Sequence, residues 1–240
     1  MNTISVDIQQ IQEKLVDKIR PAGWADKLKA FIMTQDFAEV LDKLHNLRTE
    51  DKRFTPPLKD VFRAFEECPY KDLKVVIVGQ DPYPQMNIAD GMAFSCSKSM
   101  AAQPSLRYIF EAIEETVYQG FPTYQDPNLQ RWANQGVLLL NTALTVEVNS
   151  IGSHYELWKD FTTYVIDILS WNNPGLIWVF MGKKAQELEP LVSSNHYKFM
   201  VSHPASAAYA QKKQWDCNDV FNKINAVLRD NNGPDYCITW

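Results

Sequence analysis

Hydrophobic positions along the chain fall into two kinds of pattern. Over the first seventy residues the spacing is helical: Leu28, Phe31 and Ile32, then Phe37, Val40, Leu41 and Leu44, recur at three- and four-residue intervals. Pro56-Pro57 interrupts this pattern, because proline lacks the backbone donor a helix needs, and Val61, Phe62 and Phe65 resume it briefly. Four short apolar runs come next, at Lys74 to Val78, Val137 to Leu140, Leu176 to Met181 and Tyr197 to Val201. They are rich in β-branched and aromatic residues and do not alternate with polar ones, which suits strands covered on both faces. Between the runs lie helical stripes: Leu106, Ile109, Phe110, Ile113 and Val117, then Leu157, Phe161, Tyr164, Val165, Ile168 and Leu169. Val220, Ile224, Val227 and Leu228 form the last stripe. Strands alternating with helices predict an α/β fold, a three-layer α/β/α sandwich around a central, mainly parallel four-stranded sheet. The expected organisation is one domain over residues 1–240 with a helical N-terminal part, about residues 1–70.

Composition narrows the function. The 240 residues are 45% hydrophobic and 22% charged, the balance of a soluble globular protein. The formal net charge of -5 supplies no overall basic footprint, so any grip on nucleic acid has to come from a local patch with backbone amides and hydroxyls. Cys68, Cys96, Cys217 and Cys237 form no C-x-x-C pair and no zinc spacing with the four histidines, which reads as a reduced, cytoplasmic protein. The stretch from Met1 to Val16 mixes charged and apolar residues and resembles neither a signal peptide nor a membrane span. No metal and no organic cofactor is implied.

The residues just past each strand carry the chemistry. The first strand runs into Gly79-Gln80-Asp81-Pro82-Tyr83-Pro84 and the second into Asn141-Thr142. The third meets Gly182-Lys183-Lys184, and the fourth meets Ser202-His203-Pro204-Ala205-Ser206. Ligands of open parallel sheets bind outside the carboxyl ends of the strands, so an Asp, an Asn, a Lys and a His converge on one crevice. Taken singly, Asp81-Pro82 also reads as a turn, Asn141 as a strand-end cap, His203-Pro204 as a loop and Lys183-Lys184 as a solvated pair. Their coincidence at four neighbouring strand ends favours a site.

Four segments, GQDPY at Gly79 to Tyr83, GMAFS at Gly91 to Ser95, GVLLLNTALTV at Gly136 to Val146 and SHPAS at Ser202 to Ser206, resemble the motifs of family-1 uracil-DNA glycosylases in order and spacing. The similarity runs from about Trp24 to Trp240 and includes Pro56-Pro57, Pro104-Ser105 and Ser153-His154. The resemblance implies the glycosylase fold and a base-excision repair enzyme that flips uracil from DNA, hydrolyses its N-glycosidic bond and leaves an abasic site. It implies that Asp81 stabilises the sugar cation and holds the attacking water, and that a neutral His203 donates to uracil O2. It implies a uracil pocket of Gln80, Tyr83, Phe94 and Asn141, where Asn141 reads the base edge, Tyr83 stands against C5 and Phe94 stacks on the ring. Phe94 also reads as a core aromatic beside Met92. DNA contacts are implied at Pro104, Ser105, Gly182, Lys183, Ser206 and Ala207. The implied partners are uracil-containing DNA, single- or double-stranded, and a proteinaceous glycosylase inhibitor or replication proteins, with no membrane; the family expectation is a monomer.

The chain departs from the family pattern in three places. Pro84 stands where most members carry His, as in poxviral relatives, and the segment from Gln85 to Asp90 lacks the usual glycines. The histidine loop reads HPASAA in place of HPSPLS, which puts Ala207 where a leucine wedges into the helix. Alanine cannot fill that space, Tyr209 is a candidate substitute, and single-stranded substrate is the expected preference. Two other functions fit these gaps: the same chemistry on another modified pyrimidine, such as one of phage DNA, and a glycosylase fold serving as a replication partner. Asn141 and Tyr83 select an unsubstituted uracil face and argue against the first; Asp81 and His203 argue against the second.

Overall fold

The computed structural model describes residues 4–49, 52–99 and 101–240. Three helices open the chain, α1 (Ile4–Ile19), α2 (Ala25–Ile32) and α3 (Gln35–Thr49), followed by strand β1 (Phe54–Thr55) and helix α4 (Arg63–Glu67). Strand β2 (Val75–Gly79) leads to α5 (Pro104–Thr116) and the short α6 (Gln130–Ala133), and β3 (Val137–Asn141) leads through β4 (Val146–Glu147) to α7 (Tyr155–Asn172). Strand β5 (Ile177–Met181), α8 (Lys183–Gln186), β6 (Tyr197–Val201), α9 (Ala205–Tyr209) and α10 (Val220–Asn232) complete the order.

The main sheet has the order β3-β2-β5-β6 with every pairing parallel. Successive side chains of a strand point to opposite faces, and every residue of β2, β3 and β5 is buried, so helices cover both faces. This is the α/β/α sandwich the apolar runs predict. Strand β6 is the exception. It sits at the sheet edge, and Tyr197 and Met200 are exposed. The pairing of β1 with β4 is antiparallel and only two residues long, too short to leave a periodic signal in the sequence.

One hydrophobic cluster runs from Ile8 in α1 to Trp240. An aromatic knot joins its N-terminal helices to α7: Phe62 stacks on Phe161 at 5.3 Å, and Phe37 lies 5.5 Å from Phe161 and 6.2 Å from Trp158. Helix α7 is therefore clamped from the side of α3 and α4, and the loop that precedes it is held with it. On the other group of helices, α5 packs against α9 and α10. All four cysteines are unpaired, and no helix among the described residues is long and apolar enough to cross a membrane.

Helix α9 corrects one expectation. Ala207 is 2% exposed and belongs to the hydrophobic cluster, so its methyl faces the core and not the surface where a wedge would stand. A short helix turns consecutive residues around its axis, and this one points Ser206 and Ala208 outward while Ala207 points in. The Tyr209 side chain lies outside the described set. Ala207→Leu, which would supply the family's leucine, is therefore expected to overpack the α9–α5 contact and destabilise the fold by about 1–3 kcal/mol. Urea unfolding of the two proteins checks it. An unchanged midpoint with a gain in activity on duplex DNA would restore Ala207 to the surface.

Candidate active site

The carboxyl ends of β2 and β3 lie in register, with Gly79 directly opposite Asn141. Their loops are joined: Gly79 O accepts both the Thr142 N–H at 3.1 Å and Thr142 Oγ1 at 2.9 Å, and Gln80 O accepts the Ala143 N–H at 3.1 Å. Glycine at position 79 leaves room for the Asn141 side chain, because a Cβ there would come within 2.5 Å of Asn141 Oδ1 and displace it. A cavity of about 430 Å³ opens above these strand ends, lined among others by Gln80, Asp81, Tyr83, Phe94, Asn141 and His203. Both proposed catalytic residues and all four residues of the base pocket thus line one cavity. Asn141 is 7% exposed, and its side-chain amide has no hydrogen-bond partner among the described residues. A nearly buried amide left open toward a cavity has both a donor and an acceptor to offer a ligand.

Asp81 comes after β2 on a half-buried turn, where its Oδ2 accepts the Gly152 N–H at 2.7 Å. Burial raises its pKa above the usual carboxylate value, and the Gly152 N–H opposes that rise. His203 comes after β6. Burial lowers its pKa from 6.5 to about 4, so the ring is neutral at pH 7. Its Nδ1 accepts the Ala205 N–H at 3.2 Å, which places the ring proton on Nε2 as a donor. Gly182, at the end of β5 with φ +94, makes room for this loop: a Cβ there would sit 2.5 Å from Gln80 Nε2 and 2.9 Å from His203 Cβ.

Phe94 has a left-handed backbone, φ +65, which is costly for an aromatic residue and has to be held by its surroundings. The fully buried Asp90 supplies that hold. Its Oδ2 takes Arg63 Nη1 at 2.7 Å, Ser95 Oγ at 2.7 Å and the Ser97 N–H at 2.8 Å, while Oδ1 takes the Met92 N–H at 3.3 Å. Tyr83 adds a further tie by donating its hydroxyl to Phe94 O at 3.0 Å. The Phe94 ring is thereby set 5.7 Å from the His203 ring, facing the cavity as well as the core. The core reading of Phe94 holds, and the ring also has access to the cavity.

Pro104 is the first residue of α5 and Ser105 the second, and both line the cavity at the helix N-terminus, where backbone N–H groups lack helical acceptors. Lys183 and Ser206 are exposed and lie outside the cavity wall, and Gly182 touches the site from behind through Gln80 and His203. Lys184 is drawn away to Glu187 at 2.7 Å and over the Tyr155 ring at 5.0 Å. The loop after Pro84 lacks glycines, yet Asn87 takes the positive φ, +61, that glycine would have supplied.

Sequence reasoning missed the turn from Asn149 to Ser153. Asn149 donates its N–H to Pro84 O at 3.0 Å and Gly152 donates to Asp81, so this turn backs the whole GQDPY loop. Beneath it Trp158 Nε1 donates to Thr145 Oγ1 at 2.7 Å, leaving that hydroxyl to donate to His154 Nδ1 at 2.8 Å. The Ser153-His154 pair was the available signal; the backbone donor at Gly152 left none. Among the described residues no group of three or more His, Cys, Asp or Glu side chains is placed to hold a metal ion.

These features have counterparts in known proteins. The uracil DNA glycosylase superfamily model matches residues 65–229. The uracil-DNA glycosylase of Acinetobacter baumannii (strain SDF) is 34% identical over 223 residues, covering 92% of this chain and 93% of its own. That of Amoebophilus asiaticus is 42% identical over 175 residues, 72% of this chain and 78% of its own. The crystal structure of mimivirus uracil-DNA glycosylase superposes with a TM-score of 0.77 at 27% identity, covering 90% of this chain and 86% of that one. A variant of that viral enzyme is also solved in complex with UGI. With a family match across most of the chain and relatives of this similarity over 72% and 92% of it, the chain that carries this cavity belongs to the uracil DNA glycosylase superfamily.

Proposed function

We propose that this chain, folding as one domain, excises uracil from single- or double-stranded DNA in base-excision repair, and that the unpartnered amide of Asn141 is the group that reads the base. A uracil edge presents an N3–H donor and an O4 acceptor, and one fixed carboxamide complements both. Cytosine presents an acceptor at N3 and a donor at N4, so the same amide would be left with two buried polar groups unpaired. Tyr83, tied by its hydroxyl to Phe94 O, stands against C5 and excludes a methyl group there. Phe94 supplies the ring face on which the base lies, and Gln80 closes the pocket.

The reaction breaks the bond between sugar C1′ and uracil N1. Both bonding electrons leave with the base, and its charge spreads onto O2. His203, neutral and carrying its proton on Nε2, donates a hydrogen bond to O2 as that charge develops. The sugar is left as a cation, which the Asp81 carboxylate stabilises. Asp81 also orients the water that attacks C1′ and accepts its proton, and the abasic site results. A second acid is unnecessary, because the leaving group departs as an anion. Backbone amides at the start of α5 beside Pro104 and Ser105 suit a DNA phosphate, with Gly182, Lys183 and Ser206 as contacts further along the strand. A proteinaceous glycosylase inhibitor covering the same DNA-binding face is the protein partner this reading favours.

Asp81→Asn should lower uracil release by several orders of magnitude, because the charge it removes matters most in the transition state. It should not lower thermal stability at neutral pH: a raised pKa means that the ionised carboxyl is less favoured in the folded chain than in the unfolded one. A large loss of stability would show that Asp81 holds the fold rather than the reaction.

The acid side of the pH–rate profile should be set by Asp81. Its raised pKa puts the fall of kcat/KM above the range of a free carboxylate, and the residual activity of Asp81→Asn should lose that limb. His203 adds a stability effect of definite sign. The unfolded ring takes its proton near 6.5 and the folded ring near 4, so stability is complete above about pH 6.5 and falls as the pH drops toward 4. An acid limb that survives unchanged in Asp81→Asn removes the assignment.

Base selectivity tests the pocket. Asn141→Asp should gain activity on cytosine when its carboxyl is protonated, and Tyr83→Ala should gain activity on thymine. Release of each base from matched oligonucleotides measures both. If both variants stay folded and neither gains activity, the pocket is assigned to the wrong residues.

A further inference from the structure

We propose that Ile151 is the side chain that holds a DNA duplex open beside the extruded nucleotide, an inference that rests on the uracil-excision reading above. Extruding a base from a duplex leaves its neighbours unstacked at a cost of a few kcal/mol, and proteins that open a base stack commonly insert an apolar side chain into the gap. The requirement is therefore a large apolar group, exposed in the free protein, at the mouth of the cavity and on rigid backbone.

Among the described residues only one exposed large hydrophobic side chain lines the cavity, and it is Ile151 at 64% exposure. Phe121, Tyr124 and Trp171 are more exposed but do not line it. On the histidine side, the side chains of helix α9 that line the cavity among the described ones are Ala205 and Ala208, and Ala207 is turned into the core. Neither alanine has the volume to occupy the space of a base. Solvent exposure of an isoleucine on a tightly held turn gains nothing for the folded chain, whereas contact with an unstacked base buries it.

The turn is held by five hydrogen bonds. Ser150 donates its N–H to Glu147 O at 3.0 Å, Ser153 donates its N–H to Ser150 O at 3.2 Å, and Ser153 Oγ accepts the Glu147 N–H at 2.9 Å. Asn149 is bonded to Pro84 O, and Gly152 to Asp81 Oδ2. Ile151 is β-branched, so it loses little rotamer freedom on contact. Its two neighbours along the backbone are Ser150, fixed in the turn, and Gly152, which grips the catalytic carboxylate. Whatever presses on Ile151 is thus one peptide unit and one hydrogen bond from Asp81.

The test compares uracil release from a single-stranded oligonucleotide and from the matched duplex, using wild type, Ile151→Ala and Ile151→Leu. Ile151→Ala should lose about tenfold or more in kcat/KM on the duplex and change by less than about twofold on the single strand, while Ile151→Leu keeps duplex activity. Thermal unfolding of all three, and inhibition by free uracil, should be unchanged, which separates an effect on the duplex from damage to the pocket. Equal losses on the two substrates would place Ile151 in the pocket machinery and overturn the inference. So would no loss on either, or a duplex-selective loss in Tyr209→Ala with none in Ile151→Ala. No uracil release by wild type from either substrate is a different outcome: it overturns the excision reading, and this inference with it.

Discussion

The hydrogen bond from the Gly152 N–H to Asp81 Oδ2 joins two parts of the chain on which the rest of the site depends. One is the loop leaving β2, which carries Gln80, Asp81 and Tyr83. The other is the turn before α7, which the aromatic knot around Phe161 fixes to the body of the protein. The bond is 2.7 Å long and its donor is backbone, so it aims the carboxylate without bringing a second charge into the cavity. A lysine or arginine in that role would lower the carboxyl's pKa strongly and weaken its hold on a positive transition state. In the proposed reaction the backbone donor leaves most of the negative charge available to the sugar.

The same cavity wall acts oppositely on its two titrating groups. Burial disfavours charge, so it raises Asp81 and lowers His203. For His203 the outcome is a neutral donor whose tautomer the Ala205 N–H selects. For Asp81 the outcome is a carboxyl whose charged form burial disfavours, a cost to folding of the kind active sites trade for function. Low dielectric also strengthens the attraction between the carboxylate and a sugar cation, and between Nε2–H and an anionic base. In the proposed reaction a single physical feature, the largely apolar wall that includes Phe94, Tyr83 and the strand ends, serves recognition and chemistry together.

Much of this was legible in the sequence. Strands β2, β3 and β5 are buried on both faces, and their unbroken apolar runs gave them away to within a residue. Because parallel strands end on one side, the residues just beyond them had to meet, and Asp81, Asn141 and His203 do. The parts that stayed hidden depend on backbone geometry or on partners far apart in sequence. Gly152 acts through its N–H, which every residue but proline carries. Arg63 and Asp90 meet across 27 positions with no periodicity to link them, yet they hold Phe94 in a conformation that its own backbone resists. The burial of Ala207 was hidden for another reason: motif alignment assigns a position along the chain, and a five-residue helix then decides which face that position takes.

That last point bears on how the chain meets a duplex. In a helix the direction of a side chain changes by about 100° of rotation per position, so one insertion or deletion at the start of α9 is enough to turn an outward position into a core contact. In a tight turn such as Asn149 to Ser153 the side chain at the tip is exposed whatever its identity, because the backbone bonds at Glu147, Pro84 and Asp81 fix the turn without it. A turn tip is thus the more tolerant place for an apolar contact to arise. It is also the better coupled one. Helix α9 reaches the chemistry through the pyrrolidine of Pro204 and the His203 loop, while the tip at Ile151 is separated from the carboxylate by a single peptide and one hydrogen bond. Under the roles proposed for Ile151 and Asp81, pressure from an unstacked base on that tip reaches the carboxylate through that one peptide and hydrogen bond.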